Sequence, residues 1–311
     1  MQKLNEKQGY VQGLSNFIKY VLSYLENISK RIIRQERRTD SSLYDIDDRI
    51  VLKRVFRRHI LQYGEDNFKN IVPSIILSKT TLEKLGIYGI EKFRIDIYAN
   101  LESGGAFNQY ESSLKEDGNG WNELSISVNI VPFIFSDRSD VATTIQHEMT
   151  HAYEYAKQVR QKGEDWADNG TANKYYTTSF NKQDIVKRMS YIFSQSERNA
   201  NISSLYTFLE YNNATEENYR SIVEKSDYYV MLINMEDILN KIKTNEDNCV
   251  NQIIDWIKNN QEHVDMFPSI KNKSLIRYQR RLITALSVVI EKFKEKGNRI
   301  IKLYLKNKAT V

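Results

Sequence analysis

Cysteine, proline and histidine are all scarce in this 311-residue chain, which has one Cys, three Pro and four His. The single thiol, Cys249, excludes an internal disulfide framework and any zinc site built from several thiolates. Four histidines leave a metal site very few nitrogen ligands to draw on. No apolar run reaches the roughly 18 residues needed to cross a bilayer; the stretch 126–135 is too short and too mixed. Residues 1–12 are polar and carry no apolar core before a small-residue cleavage site, so no secretory signal is expected and the expected compartment is the cytoplasm. Charge of one sign is not in great excess either: 45 basic residues stand against 40 acidic ones, a net of +5.

What is present is a globular balance, 41% hydrophobic and 27% charged, which argues against disorder of the whole chain. Basic runs occur at Lys30, Arg31, Arg34, Arg37 and Arg38, at Lys53 to Arg58, and at Lys271 to Arg281. No nucleic-acid motif accompanies them, so they read first as solvated helix faces, and nucleic acid is not an expected partner. Low proline with abundant Asn, Lys, Ile and Tyr suggests an AT-rich genome, such as that of a bacterium or its phage.

Leu14, Phe17, Ile18, Val21, Leu22, Leu25, Ile28 and Ile32 recur at helical spacing. A second helix is expected over 45–63 with Ile46, Ile50, Val51, Val55 and Ile60 inward. Phe93, Ile95 and Ile97 alternate with polar residues, as do Leu124, Ile126, Val128 and Ile130, giving two strands. The long polar excursion between them suggests that they pair antiparallel. Ser136, Asp137, Ser139 and Asp140 offer caps for a helix over 141–160. A further helical stretch opens at Asp184, and the texture stays helical to the end, with breaks near Asn213, Asn245 and Pro268. The expected organisation is a helical region 1–62, a core 63–212 and a helical region 213–311.

The expected helix over 141–160 contains His147-Glu148-Met149-Thr150-His151. Two histidines one turn apart project from one face and can share a metal ion, and neutral imidazoles suit zinc. Glu148, one residue further round, can accept a proton from a water bound to that metal. A catalytic zinc takes three protein ligands plus water. Glu154 and Lys157 stand where a metzincin would carry its glycine and third histidine, which excludes that branch. His59 and His263 read as surface or partly packed residues, so the third ligand is expected to be a carboxylate. Glu197, in the next long helix beside small Ala200, is the first choice. Glu154, Glu164, Asp165 and Asp168 are the alternatives. Asn201, one turn beyond Glu197, is placed to hydrogen-bond a metal-bound imidazole.

The run 147–154 with Ser196-Glu197-x-x-Ala200 resembles gluzincin-type zincin metallopeptidases, similar to the small zincin-like proteins of bacteria and their phages. The resemblance covers about residues 90–212. It implies an α+β fold, with a zincin-like core of small antiparallel or mixed sheet and HExxH helix between mainly helical flanks. It also implies one Zn²⁺ held by His147, His151 and Glu197, with Glu148 as general base in hydrolysis of a protein or peptide substrate by metal-activated water. Asn201 departs from the Asp that many gluzincins carry there. The strand 124–130 would offer its edge to the substrate, with Gly104, Gly105 and Phe107 in the cleft wall, and Tyr175 or Tyr176 would stabilise the transition state. The alternative function is a structural or interaction protein of zincin fold, such as a phage virion component. It would keep a metal site without proteolysis and meet an assembly partner through its helical flanks.

Overall fold

The computed structural model describes residues 2–63, 74–98, 105–108, 111–116, 120–129, 138–162, 185–259, 267, 268, 270 and 274–309. The chain forms two compact units, Met1–Ala156 and Lys157–Val311. The architecture is mixed α+β, as expected, and mostly helical.

In the first unit, α1 (Gln2–Thr39) buries Leu14, Phe17, Ile18, Val21, Leu22, Leu25 and Ile28. Ile33, rather than Ile32, completes that stripe. Asp40 caps the short turn Ser41–Leu43 by accepting from the Ser42 N–H. The next helix, α2 (Asp48–Tyr63), starts later than its apolar pattern suggests. Asp47 accepts from the Arg49 N–H at 2.8 Å and marks the entry. Ile46 therefore precedes the helix, and Ile46 and Ile50 are exposed. The buried stripe runs instead through Val51, Leu52, Val55, Phe56 and His59. Arg37 braces the connection between the two helices by donating to the carbonyls of Leu43 and Ile46, and Arg58 of α2 makes a two-pronged pair with Glu36 of α1 at 2.6 and 2.9 Å.

The sheet of this unit comprises β1 (Ile75–Ser78), β2 (Ile90–Tyr98), β3 (Gly105–Phe107), β4 (Ser113–Leu114) and β5 (Trp121–Asn129). A short helix, α3 (Lys79–Lys84), joins β1 to β2. The strand order is β1-β2-β5-β3, with β4 also on β5. The two alternating strands pair in parallel, Ile95 beside Ile126, which overturns the expected antiparallel pairing. Parallel neighbours need a crossover of a dozen or more residues, and the excursion between β2 and β5 is long enough to supply one. Within it, β3 and β4 turn back to pair antiparallel with β5. Phe93, Ile95, Ile97, Leu124, Ile126 and Val128 are all buried, and Phe17 of α1 meets Phe93 edge to face at 5.0 Å.

Asp96 of β2 and Ser125 and Ser127 of β5, all polar, are buried too. Asp96 is fully buried and accepts from Arg94 Nε at 3.0 Å and from the Ser74 hydroxyl. Asn108 donates to Ser125 Oγ at 3.0 Å and accepts from Ser127 Oγ at 3.3 Å. Buried polar groups persist when they are paired in this way. The unit closes with the first part of α4 (Arg138–Lys162).

The second unit contains the helices α5 (Ile185–Phe193), α6 (Gln195–Tyr211), α7 (Tyr219–Val223), α8 (Asp227–Thr244), α9 (Cys249–Asn259) and α10 (Leu275–Ala309). Ser226 caps α8 by accepting from the Tyr229 N–H. Asn245 ends it in the left-handed region at φ 52°, and Asn213 beyond α6 has φ 50°. Asparagine tolerates that conformation better than most residues, so the expected breaks at Asn213 and Asn245 coincide with backbone reversals. Tyr278, Leu282, Leu286, Ile290, Phe293 and Tyr304 form the buried stripe of α10. A Cβ at Gly297 would lie 2.2 Å from the Tyr228 ring, so only glycine lets α10 approach there. Tyr228 stacks on Phe293 at 4.7 Å, and burial pushes its hydroxyl up to about 12. Arg188 of α5 is buried and reaches Asp237 of α8 at 2.7 Å. Among the described residues, no helix is long and apolar enough to cross a membrane.

Candidate metal centre

Helix α4 starts at Arg138, with Asp140 in its first turn, where the helix dipole favours a carboxylate. The expected caps Ser136 and Asp137 lie outside the described residues. Val141, Ile145, Met149, Ala152 and Ala156 recur at steps of three and four and are buried. Several polar residues of the same helix are also buried: Thr143, Gln146, Glu148 and His151. Thr143 satisfies its hydroxyl locally on the carbonyls of Ser139 and Asp140, and Thr150 does so on Gln146. Glu148, His147 and His151 are the acid–base side chains of the stretch 143–151.

The turn between His147 and His151 brings their Nε2 atoms to 3.0 Å. The ring centroids stand 4.7 Å apart and the planes are inclined at 73°. Two nitrogens bound tetrahedrally at 2.0–2.1 Å from one zinc would be separated by about 3.3 Å. The imidazoles are thus already turned toward a common point at close to ligand spacing.

Strand β3 lies against α4 at the same level. A Cβ on Gly105 would fall 2.6 Å from Thr144 Cγ2, 2.7 Å from the Ser127 carbonyl oxygen and 3.1 Å from Glu148 Cγ. Glycine at 105 therefore admits the strand directly beside Glu148. Phe107 packs on Tyr155 and Trp121 at 5.6 and 5.7 Å, and Trp121 stacks on Tyr155. Gly105 thus lies beside Glu148, while Gly104 lies outside the described residues. β5 is flanked by β2 on one side and by β3 and β4 on the other. Its hydrogen-bonding edges are taken along those pairings, so the expectation that the strand 124–130 offers a free edge is corrected. β3 is the outer strand of the order on that side.

Glu197 occupies the first turn of α6. Ser194 caps this helix, its hydroxyl accepting from the Glu197 N–H at 3.3 Å. His147 and His151 belong to the first unit and Glu197 to the second. Glu154 stands half-buried further along α4. Glu164, Asp165, Asp168, Tyr175, Tyr176 and His263 lie outside the described residues.

One expectation is revised: His59 is buried at 6% exposure, because the inward stripe of α2 passes through it. Asn201 Nδ2 donates to the Tyr191 hydroxyl at 3.3 Å and to the Glu197 carbonyl at 2.9 Å. Its amide hydrogens are therefore committed beside Glu197, and Oδ1 is the atom that would accept from an imidazole N–H. Tyr191 did not stand out in the sequence, because it belongs to α5, across the break at Ser194. Its hydroxyl is hydrogen-bonded to the Glu197 side chain, and burial, with the Glu197 charge, raises its pKa well above the ordinary phenol value.

No family model, curated protein or solved structure matches this chain.

Proposed function

We propose that the chain is a zinc-dependent peptidase of zincin type, with His147, His151 and Glu197 as the metal ligands and Glu148 as the general base. The observation that carries this reading is the convergence of the two Nε2 atoms at 3.0 Å on the helix face that also buries Glu148. A zinc ion held there would supply Lewis acidity toward a carbonyl and bring the pKa of a bound water to about 7. Glu148 accepts the proton of the attacking water and delivers it to the departing amine, so no covalent bond to the protein forms. Its burial keeps bulk water from competing for that proton. Gly105 leaves room for the carboxylate-bearing side chain beside an outer strand, where an extended peptide can lie.

The test is zinc stoichiometry of the purified chain together with cleavage of a broad peptide library. Glu148→Gln is expected to keep the zinc and lose about 10²–10⁴ in rate, the usual worth of general acid–base catalysis. Full activity of Glu148→Gln would sink the mechanism. Stoichiometric zinc with nothing cleaved would favour a structural metal site in an assembly protein.

A further inference from the structure

The sequence Ser194-Gln195-Ser196-Glu197 has the form of a capping box, in which the glutamate at the third helical position returns its carboxylate to the N–H of the capping serine. Here only half of that box is made. Ser194 Oγ accepts from the Glu197 N–H, but the Ser194 N–H donates to the Tyr191 carbonyl at 3.2 Å. The Glu197 carboxylate is thereby released from capping its own helix. The same backbone bond folds the end of α5 against the start of α6 and brings the Tyr191 phenol to the Glu197 side chain.

The direction of the phenol hydrogen follows from its other partner. Asn201 Nδ2 is a donor only, so toward Asn201 the Tyr191 oxygen can only accept. Its O–H hydrogen is left for the carboxylate of Glu197. Asn201 is itself fixed by donating to the Glu197 carbonyl one turn back along α6. Three residues, Asn201, Tyr191 and Glu197, form a relay that ends on a carboxylate oxygen.

We propose that Tyr191 is the positioning residue for Glu197, donating to one carboxylate oxygen so that the other is presented to the metal as a single-oxygen ligand. The inference rests on the reading of Glu197 as a ligand. Partners of this kind orient ligands and typically account for 10–100-fold in metal affinity. The half-made cap gives the arrangement its specificity: a glutamate serving its own helix would have no need of a buried phenol.

The experiment is a chelator competition for zinc on the full chain, with Co²⁺ absorption as a second readout. Tyr191→Phe, which removes one oxygen atom, is expected to weaken zinc binding about 10–100-fold. It is also expected to alter the visible Co²⁺ spectrum as the freed carboxylate changes from one-oxygen to two-oxygen coordination. Far-UV dichroism would stay as in the unmodified chain. Asn201→Leu, which leaves the phenol but removes its orienting donor, is expected to give a smaller weakening in the same direction. It serves as the test if Tyr191→Phe does not fold. Unmodified zinc affinity and Co²⁺ spectrum in Tyr191→Phe, or in Asn201→Leu where that variant serves, would overturn the positioning role alone. Failure of the unmodified chain to bind zinc would overturn the ligand reading and this inference with it.

Discussion

Two helices of the chain bury themselves in opposite ways. In α10, one apolar stripe from Tyr278 to Tyr304 is buried, and flanking positions such as Ile276 and Val288 are exposed. In α4, the apolar row Val141, Ile145 and Met149 is buried, and so are the polar residues Thr143, Gln146, Glu148 and His151 around the rest of the helix. Burying apolar side chains stabilises a fold at about 25 cal/mol per Å². Burying a carboxylate and an imidazole costs free energy unless partners offset it. The stripe of α10 is explained by packing alone. The buried polar residues of α4 are not, and that surplus is what points to chemistry.

The contrast can be broken by experiment. The largest effect is expected in the apolar helix: Leu282→Ala, at a fully buried position, should cost roughly 2–5 kcal/mol in denaturant unfolding. A cost below 1 kcal/mol would mean that the stripe is not the core it resembles. In α4 the expectation reverses. His151→Ala should leave the zinc-free unfolding midpoint nearly unchanged but abolish stabilisation by zinc. That stabilisation is about 2.7 kcal/mol for the unmodified chain at free zinc a hundredfold above Kd. Equal zinc stabilisation of both proteins would remove His151 from the site.

A third test uses pH. The buried Tyr228 hydroxyl has its pKa raised from 10.0 to about 12. The folded state therefore holds this proton more tightly than the unfolded chain does. Its contribution, on the order of 2 kcal/mol, is complete below pH 10 and is lost as pH rises through about 12. Tyr228→Phe should flatten that part of the alkaline unfolding curve, and an unchanged slope would contradict the assignment. The smallest expected effects, roughly 1–3 kcal/mol from overpacking, come from a pair of substitutions. Gly297→Ala strikes Tyr228 and Gly105→Ala strikes Thr144 and the Ser127 carbonyl. Both should lower the unfolding midpoint, but only Gly105→Ala should also lower peptide hydrolysis measured well below that midpoint.

Much of the candidate site was legible because its spacing is local. His147, Glu148 and His151 lie within two turns of one helix, and helical periodicity alone turns both imidazoles the same way. The breaks at Asn213 and Asn245 were legible for a similar reason, since a single residue type tolerates the reversed backbone. Strand direction was not. Alternation of Phe93, Ile95 and Ile97 states which side chains share a face, but carries nothing about whether Ile126 pairs in parallel or antiparallel. The start of α2 was obscured because Ile46 and Ile50 fit the helical period, while Asp47 decides where the helix begins. The buried His59 and the Tyr191–Asn201–Glu197 relay depend on packing between elements, which no single periodic segment encodes.

The parallel pairing of β2 with β5 has a kinetic consequence. Those strands come together only after the chain between them has closed a long loop, and the entropy of closure must be met before any ladder bond repays it. Helix α4 needs no such closure to form its turns. The histidine pair can thus be assembled on a nascent helix while β2 and β5 are still apart. On the proposed reading, a divalent ion available during folding would meet two of its ligands early, and the histidine pair would bind it before the sheet is complete.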